Sequence, residues 1–413
     1  MKIIWEMVAL EKLGKITSSK RIFKSEYVDT GVPFYRTKEI KELANGRTIS
    51  TELYISQNRF DEIKRKFGTP EIGDLLITAI GTIGEIYVVD NTNFYFKDGN
   101  VLWLKDFRDI DSYFLKYSLM AFIDQLNGIS HGSAYQALPI EKLKRHKIPK
   151  PPLPEQKRIV AILDEAFEGI DRAIANAEKN LSNSRELFES YLNAIFTQKN
   201  NRWEWVSLSE ITTDITDGDH QPPPKSQSGI PFITISNIDK QNRKVDFSNT
   251  FKVPPEYFEK LKSNRKPRKG DLLYTVTGSY GIPVIVDHDI DFCFQRHIGL
   301  IRPNAETNLK CLYYILLSRY LLTQADECAT GTAQKTVSLS GLRRFSVPKI
   351  PKEQQEIIVT ELDALSEKIG RLESIYHQKI AALKELKQSI LQKAFTGELT
   401  ADTPKAAKEE IAA

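Results

Sequence analysis

The amino-acid sequence predicts an α+β protein built as a tandem repeat with pseudo-two-fold symmetry. Two similar mixed α/β domains are expected, joined by two long helices that pack as an antiparallel coiled coil. Two observations predict this fold. One series of motifs occurs twice along the 413 residues, and each series ends in a long heptad pattern of apolar side chains.

The repeat consists of matched segments whose offset stays between 197 and 199 residues. The matched pairs are 31–34 with 229–232, 73–81 with 270–278, 132–134 with 331–333, 148–150 with 347–349, 163–164 with 362–363, and 196–197 with 395–396. Chance does not keep so many matches in one register, so we interpret the chain as a tandem duplication.

Each copy begins with short strands separated by turn-forming residues. Apolar runs at 75–80 and 86–89 flank Gly81-Thr-Ile-Gly84, a pattern typical of a strand, a tight turn and a second strand. A helical stretch is expected at 113–126, and at 309–324 in the second copy. Another short strand should end at Ile148 or Val347, after which prolines interrupt regular structure.

A heptad spacing follows the prolines in each copy. Its positions are Leu163, Phe167, Ile170, Ile174, Ala177, Leu181, Ser184, Phe188, Tyr191 and Ile195, and then Ile358, Leu362, Leu365, Ile369, Leu372, Tyr376, Lys379, Leu383, Leu386 and Ile390. Each helix of about 40 residues would be roughly 60 Å long and would expose an apolar stripe if it stood alone. Because the intervening module lets the chain turn back, antiparallel pairing should bury both stripes.

These patterns divide the chain into five segments. The predicted boundaries are a first domain at 1–152, a first helical region at 153–199, a second domain at 200–351, a second helical region at 352–400 and a disordered tail at 401–413.

Composition predicts a soluble globular protein, with 41% hydrophobic and 27% charged residues. No apolar run is long enough to span a bilayer and no secretory signal is visible, so a cytoplasmic location is expected. The three cysteines have neither zinc-ligand nor disulfide spacing, and no metal or cofactor is expected. Net charge is +4 over residues 1–150, −2 over 151–200, +4 over 201–350 and −2 over 351–413, which suggests two equivalent basic surfaces.

Two similar domains held apart by stiff helices match the geometry of duplex DNA. Dimeric DNA-binding proteins place two domains on one face of the duplex, one or more turns of about 34 Å apart. Here the dimer would lie within one chain. Because the two copies differ in detail, we expect a target of two short, unlike sequences separated by an unread gap.

The whole chain resembles the specificity subunit of Type I restriction–modification systems. The resemblance rests on the duplication, on Gly-Asp-Leu-Leu in each copy, and on Gly-Ser/Thr-Ala. It rests also on the entry to each helix, Gln156-Lys-Arg-Ile-Val160 and Gln355-Glu-Ile-Ile-Val359, and on the endings Phe196-Thr and Phe395-Thr-Gly-Glu-Leu399. One departure is the loop after Gly132, which reads Ser-Ala-Tyr-Gln-Ala where the second copy has Thr-Ala-Gln-Lys-Thr.

The resemblance implies two target recognition domains and two helical spacer regions. The spacers would dock two DNA adenine-methyltransferase subunits, which in turn recruit ATP-dependent restriction subunits. Eight residues around the proline entries and the helix ends are candidates for partner docking. They are Pro149, Pro152, Gln156, Phe196, Pro348, Pro351, Gln355 and Phe395.

Candidate DNA-binding residues lie in basic runs and polar loops, several of them at matching positions of the two copies. In the first copy they are Lys64, Arg65, Lys66, Lys97, Asn100, His131, Ser133, Tyr135 and Gln136. In the second copy they are Asp217, His220, Gln221, Arg265, Lys266, Arg268, Lys269, Gln295, Arg296, His297, Thr332, Gln334 and Lys335. Basic runs suit phosphates, whereas glutamine, lysine and hydroxyl side chains can read base edges. An ordinary solvated loop is the alternative at each place.

The paired glycines Gly81/Gly84 and Gly278/Gly281 allow two interpretations. They either bring backbone amides to a phosphate or simply form a turn.

Two other classes of function fit the sequence less well. A DNA-modifying enzyme should show an Asn/Asp-Pro-Pro-aromatic strip, but Gln221-Pro-Pro-Pro224 lacks both ends of it, and a phosphate-binding Gly-x4-Gly-Lys-Ser/Thr loop is absent from the sequence. A coiled-coil scaffold without DNA affinity would account for the helices but not for two basic, strand-rich domains. The sequence therefore favours a non-catalytic DNA-binding subunit.

Overall fold

The structure, a computed structural model, describes residues 5–80, 83–129, 138, 140–197, 203–332 and 334–399. The chain divides into two compact units. Unit 1 comprises Met1–Ala177 and Gln378–Ala413, and unit 2 comprises Glu178–His377. We call the part of each unit outside the two long helices its head.

The first head alternates short strands with helices. Its strands are β1 (Met7–Ala9), β2 (Lys15–Thr17), β3 (Tyr27–Val28), β4 (Val32–Tyr35), β5 (Tyr54–Ile55), β6 (Leu75–Thr78), β7 (Ile86–Val88), β8 (Tyr95–Phe96), β9 (Val101–Lys105) and β10 (Lys147–Pro149). Its helices are α1 (Leu10–Leu13), α2 (Thr37–Ala44), α3 (Gln57–Phe67), α4 (Ser112–Ile129) and α5 (Ile140–Arg145), and the long helix α6 (Leu153–Thr197) follows.

The second head repeats the strands of the central sheet in the same order but differs in the short strands and helices around them. Its strands are β11 (Glu204–Ser207), β12 (Thr212–Asp217), β13 (Ile230–Ile233), β14 (Ile238–Asp239), β15 (Lys244–Val245), β16 (Phe251–Val253), β17 (Leu272–Thr275), β18 (Pro283–Ile285), β19 (Cys293–Phe294), β20 (Ile298–Pro303) and β21 (Ser346–Lys349). Its helices are α7 (Pro255–Glu259), α8 (Leu309–Leu317), α9 (Arg319–Cys328) and α10 (Leu339–Arg343), and the long helix α11 (Lys352–Thr396) follows.

The central sheet of each head has the same topology. In the first head the order is β2-β9-β6-β7, and in the second it is β12-β20-β17-β18, with every pair antiparallel. A smaller sheet in each head contains one parallel pair, β4 with β8 or β13 with β19. The shared topology confirms the tandem repeat and the mixed α/β class.

The central strands are apolar on both faces because the sheet is covered on both sides. Leu75 and Ile77 of β6 pack in one cluster with α4, whereas Leu76 belongs to a second cluster on the other face. A glycine closes the following turn in both heads. A Cβ at Gly84 would lie 2.6 Å from Ile123 of α4, and one at Gly281 would lie 2.5 Å from Leu322 of α9.

The long helices pack against each other antiparallel. In unit 2, Arg185 of α6 bonds Glu373 of α11 at 2.6 Å, while Tyr191, further along α6, bonds the earlier Glu361 at 3.3 Å. In unit 1, Lys387 of α11 bonds Asp171 of α6 at 2.7 Å. The two contacts of unit 2 thus confirm the predicted antiparallel pairing of the two long helices.

The strict heptad seam is wrong near the end of α6. Tyr191 is 41% exposed, whereas its neighbour Leu192 is buried together with Phe196 in the core of the second head. An α-helix of 3.6 residues per turn drifts by about 20° per heptad relative to a 3.5 repeat. The buried stripe has therefore moved by one residue where α6 packs against a head rather than only against α11.

The continuous helix expected at 309–324 is also corrected. It is broken into α8 and α9 at Ser318, whose backbone is extended and whose hydroxyl accepts a hydrogen bond from the amide of Leu321. Ser318 thereby caps the second helix, a role that suits a short hydroxyl side chain. Within the part of the chain described, no helix is long and apolar enough to cross a membrane.

Candidate nucleic-acid interface

One end of the central sheet gathers the candidate segments in both heads. Val276, just after β17, donates to the carbonyl of His297 at 3.0 Å and accepts from the amide of Val337 at 2.8 Å. Ala79, just after β6, makes the same two bonds with Asn100 and Leu138, both at 2.8 Å. This end of the sheet therefore contacts the segment before β9 or β20. In the second head it also contacts the loop after α9, and in the first head it contacts Leu138, which precedes α5.

A buried aspartate connects two further candidate segments of the second head. Asp217 lies at the end of β12, and its carboxylate contacts His220 Nε2 at 2.6 Å and Arg265 Nη2 at 3.1 Å. Asp217 is itself only 9% exposed. It is therefore placed to orient the half-exposed His220 and Arg265 rather than to reach a ligand.

The loop after Asp217 is also tied to the segment 295–297. The amide of Asp219 donates to Phe294 at 2.9 Å, and the amide of Arg296 donates to Asp219 at 3.1 Å. Gln295 and His297 bond each other through their side chains. Segments 217–221, 265–269 and 295–297, which are far apart in sequence, thus meet on one face of the second head, where Gln221 and Arg296 are exposed.

The side chains of the basic run at 265–269 differ in exposure and in contacts. Lys266 donates to the carbonyl of Glu259 at 3.2 Å and lies 4.8 Å from the ring centroid of Phe258. Arg268 and Lys269 are exposed, with Lys269 only 3.9 Å from the exposed Asp289. Arg268 and Lys269 are therefore better placed for phosphate contact than Lys266.

The turn at Gly278 and the loop at 330–336 lie side by side. The amide of Gly278 donates to Lys335 at 3.0 Å, and that of Gly281 donates to Thr275 at 2.9 Å. Both glycine amides are used internally, so in the second head the turn interpretation is favoured over phosphate binding. Thr332, Gln334 and Lys335 are exposed.

In the first head, part of the candidate set can be placed. Lys64, Arg65 and Lys66 occupy the exposed last turn of α3, where Lys66 bonds Glu62 at 2.8 Å. Lys97 is exposed and Asn100 half-buried beside Ala79. The candidates His131, Ser133, Tyr135 and Gln136, like Gly81, lie outside the described residues.

The first head's counterpart of the Asp217 loop has no recognisable motif in the sequence. Thr17 pairs with Trp103 as Thr216 pairs with Leu300, so Lys20 and Arg21 follow β2 where Asp219 and His220 follow β12. Arg21 bonds Asp98 at 2.8 Å, and Lys20 lies 5.2 Å from the ring of Phe67 at the end of α3. Strand register reveals this equivalence, whereas the residues themselves share no pattern.

The docking candidates differ widely in exposure. Pro152 and Pro351 are exposed and Phe395 is half-buried, packed on Phe114 at a ring separation of 5.3 Å. The other five are buried: Pro149, Gln156, Phe196, Pro348 and Gln355. Among the described residues, no group of three or more His, Cys, Asp or Glu side chains is arranged to hold a metal ion.

Comparison with known proteins gives a family and several relatives. The family described as Type I restriction modification DNA specificity domain matches residues 3–180 and 200–384. A putative type I restriction enzyme specificity subunit of Haemophilus influenzae is 34% identical over 45% of this chain and 48% of its own length. The EcoBI specificity subunit of Escherichia coli is 26% identical over 70% of this chain and 66% of its own.

A third relative matches almost end to end. The putative MjaX specificity subunit of Methanocaldococcus jannaschii is 24% identical over 97% of this chain and 94% of its own length. This chain spans about half of the length of the Haemophilus influenzae relative and about two thirds of the length of the EcoBI subunit.

Two solved structures share the fold. One, from a study of complex assembly and conformational transition of the type I R-M system, has a TM-score of 0.75 at 21% identity, covering 96% of this chain and 98% of the other. The HsdS subunit from Thermoanaerobacter tengcongensis has a TM-score of 0.55 at 21% identity, covering 96% and 97%.

Proposed function

The chain belongs to the family of Type I restriction modification DNA specificity domains, and on that premise we propose that its two heads read two unlike DNA half-sites separated by an unread gap. One observation carries the proposal. In both heads, segments that are distant in sequence meet at the same end of the central sheet, yet the described polar residues of those segments differ between the heads. A shared frame with unlike loops suits two half-sites of different sequence.

The side chains divide into two roles. The exposed cations Arg268, Lys269, Lys64 and Arg65 suit phosphate oxygens, which position a protein without specifying sequence. Gln221, Gln295, Gln334 and Lys335, with Lys97 and Asn100 in the first head, have the donors and acceptors that read base edges. The loop residues His131, Ser133, Tyr135 and Gln136 remain candidates on sequence grounds, as do His220, Arg296, His297 and Thr332.

The catalytic steps would be carried out by other chains. In this proposal the subunit is non-catalytic, needs no cofactor, acts in the cytoplasm, and joins two DNA adenine-methyltransferase subunits with ATP-dependent restriction subunits. Three of the docking candidates are accessible to a partner: the exposed Pro152 and Pro351 and the half-buried Phe395. A coiled-coil scaffold without DNA affinity and a DNA-modifying enzyme remain the alternatives that the experiment must exclude.

Selection from randomised duplex DNA tests the proposal. The full chain, alone and with its methyltransferase partner, should enrich a split motif with a constant gap. Enrichment of no motif, with folded protein at low salt, would favour the scaffold. Methyl transfer by the chain alone would favour the enzyme.

The phosphate role has its own test. Arg268→Ala with Lys269→Ala should weaken binding to every sequence about equally and reduce the salt slope by about 2. Lys352→Ala with Lys368→Ala, two exposed lysines of α11, serves as the charge-matched control. A changed motif with an unaltered salt slope would contradict the assignment.

A further inference from the structure

Each long helix is fastened to its head by a buried glutamine near its first turn. Gln156 accepts from the amide of Asp111 at 2.8 Å and donates to the carbonyls of Asp109 at 3.0 Å and Pro151 at 2.8 Å. Its side chain uses one acceptor and two donors, and the residue is 0% exposed. The backbone of the segments that precede α4 and α6 therefore satisfies the side-chain amide of Gln156 completely.

The second unit repeats this arrangement. Gln355 accepts from the amide of Asn308 at 2.6 Å and donates to the carbonyls of Glu306 at 2.9 Å and Ile350 at 2.7 Å. Gln355 is 5% exposed. The same side chain thus bonds the same three places in both copies, immediately before α4 or α8 and immediately before the long helix.

A second polar contact follows about two turns along each helix. The hydroxyl of Tyr117 bonds Asp164 in unit 1, and that of Tyr314 bonds Asp363 in unit 2 at 2.7 Å. Burial raises the pKa of both tyrosines, and the hydrogen bond to aspartate raises it further. In unit 2, Lys310 also bonds Asp363 at 2.6 Å.

Two contacts at different points along a helix restrain its orientation better than a single contact does. Eight residues separate Gln156 from Asp164, about 12 Å along the helix axis at 1.5 Å per residue. The glutamine holds the helix start, and the aspartate stops the helix from turning about that point. Between them Ile159 and Leu163 pack in one apolar cluster with Phe114 of α4.

The polar character of this contact is informative. Apolar residues of similar shape can replace buried polar pairs at little cost in stability, because burial of polar groups offsets most of the gain from pairing. Hydrogen bonds are directional, however, whereas apolar contacts tolerate sliding and rotation. A polar contact placed at the same two points in both units is suited to fix an orientation.

We infer that these residues are positioning residues that set the orientation of each head on its long helix and thereby restrict the gap accepted between the two half-sites. We call the sets Gln156, Tyr117 and Asp164, and Gln355, Tyr314 and Asp363, the two joints. The inference rests on the proposed function, because a gap exists only if two half-sites are read. Each added base pair rotates one half-site by about 35° and moves it by about 3.4 Å, so a stiff joint should tolerate few gaps.

The experiment measures affinity against gap length. The full chain is titrated with duplexes that carry its selected half-sites at the preferred gap and at gaps one and two base pairs shorter or longer. The wild type should lose about tenfold or more in affinity per base pair of error, which corresponds to about 1.4 kcal/mol. Tyr117→Phe with Tyr314→Phe should reduce that loss to about threefold, while affinity at the preferred gap falls only slightly.

A matched control separates positioning from stability. Tyr87→Phe removes a hydroxyl bonded to Asp90 inside the first head, the same chemical change away from the joint. It should leave the gap profile unaltered. Asp164→Asn with Asp363→Asn, which keeps the side-chain shape and an acceptor, is the second joint variant if the phenylalanine variants fail to fold.

The outcomes separate the two proposals. A sharp wild-type gap profile that the joint variants leave unchanged would overturn the joints and keep the split target. Loss of affinity at every gap and for each half-site alone would also overturn the joints, since it indicates a merely structural role. A wild type that binds without any gap preference would overturn the proposed function and the joints with it.

Discussion

The two heads share a frame but hold the aspartate of Gly-Asp-Leu-Leu in different ways. In the first head Asp74 accepts from the indole of Trp103 at 2.7 Å. In the second head Asp271 receives two bonds from Arg302, both at 2.8 Å. Equivalent aspartates of the two sheets are therefore bound by a neutral donor in the first head and by a bidentate ion pair in the second.

The strand register explains how the exchange arises. Leu104 and Ile301 occupy equivalent positions in the two sheets, so Lys105 is the counterpart of Arg302. The ammonium of Lys105, however, lies over the ring of Trp103 at 3.9 Å and does not reach Asp74. Burial raises the pKa of Asp74. The hydrogen bonds to Asp271 raise the pKa of Arg302. The duplicated fold thus tolerates different internal chemistry provided that the aspartate keeps a donor.

A second difference lies where the head's last short strand begins. The carbonyls of His146 and Phe345 accept equivalent bonds, from the amides of Leu10 at 3.0 Å and Leu208 at 2.8 Å. The imidazole of His146 stacks on Phe122 at 3.7 Å between ring centroids. A titratable ring in one head therefore replaces a phenylalanine of the other, which makes the comparison testable by pH.

The largest effect is expected from breaking the buried ion pair. Arg302 and Asp271 have side chains only 9% and 1% exposed. Arg302→Met would leave Asp271 buried without its partner, which should cost about 3–5 kcal/mol in the free energy of unfolding. Urea denaturation of the full chain measures the change.

The first head supplies the control for that variant. Asp74→Asn keeps an acceptor for Trp103 and removes a charge that burial penalises, so a change below about 1 kcal/mol is expected. Equal losses for the two variants would mean that the heads do not differ in the way described.

An intermediate effect is expected from pH. Burial lowers the pKa of His146 to about 4, below that of an unfolded chain at about 6.5. The folded state binds this proton less readily than the unfolded chain does. The free energy of unfolding is therefore at its full value above about pH 6.5 and decreases as the pH falls toward 4. Unfolding at pH 7 and pH 5 should differ by about 2 kcal/mol on this account.

His146→Phe, which copies Phe345 of the second head, isolates the histidine. The variant should lose this part of the pH dependence while other titrating groups keep theirs. An unchanged difference between pH 7 and pH 5 would show that His146 is not the source.

The smallest effect is expected from freeing the side chains held by Asp217. Asp217→Asn should weaken the hold on Arg265 and His220 and lower affinity for the second half-site by about tenfold, which is about 1.4 kcal/mol. Asp98→Asn is the counterpart in the first head. Because the Arg21 side chain is 66% exposed and solvent weakens its ion pair, the loss of affinity should be smaller. Competition binding with single half-sites measures both, and a larger loss for Asp98→Asn would reverse the comparison.

The sequence predicted the parts of the fold that repeat. Heptad spacing indicated α6 and α11. Gly-Asp-Leu-Leu indicated the central strand because short apolar runs bounded by turn residues are typical of buried strands. The sequence patterns did not predict the helix break at Ser318, which depends on one capping side chain, or the exposure of Tyr191, which depends on the drift of the helix relative to the heptad repeat.

The candidate site was predictable only where the two copies keep similar residues. The basic runs were found by their position before Gly-Asp-Leu-Leu. Lys20 and Arg21 were missed because only strand register equates them with the Asp217 loop. The repetition of Gln156 and Gln355 predicts a shared role, but their burial and backbone contacts do not follow from the sequence.

The central claim is that each head reads its own half-site. It is tested most directly by a chain in which residues 203–351 are replaced by a second copy of residues 5–152, expressed with the methyltransferase partner and mapped by long-read methylation sequencing. The wild type should give a split motif with two unlike halves, and the replaced chain should give a motif with one half-site sequence used twice. Persistence of the original second half in the replaced chain would contradict the claim.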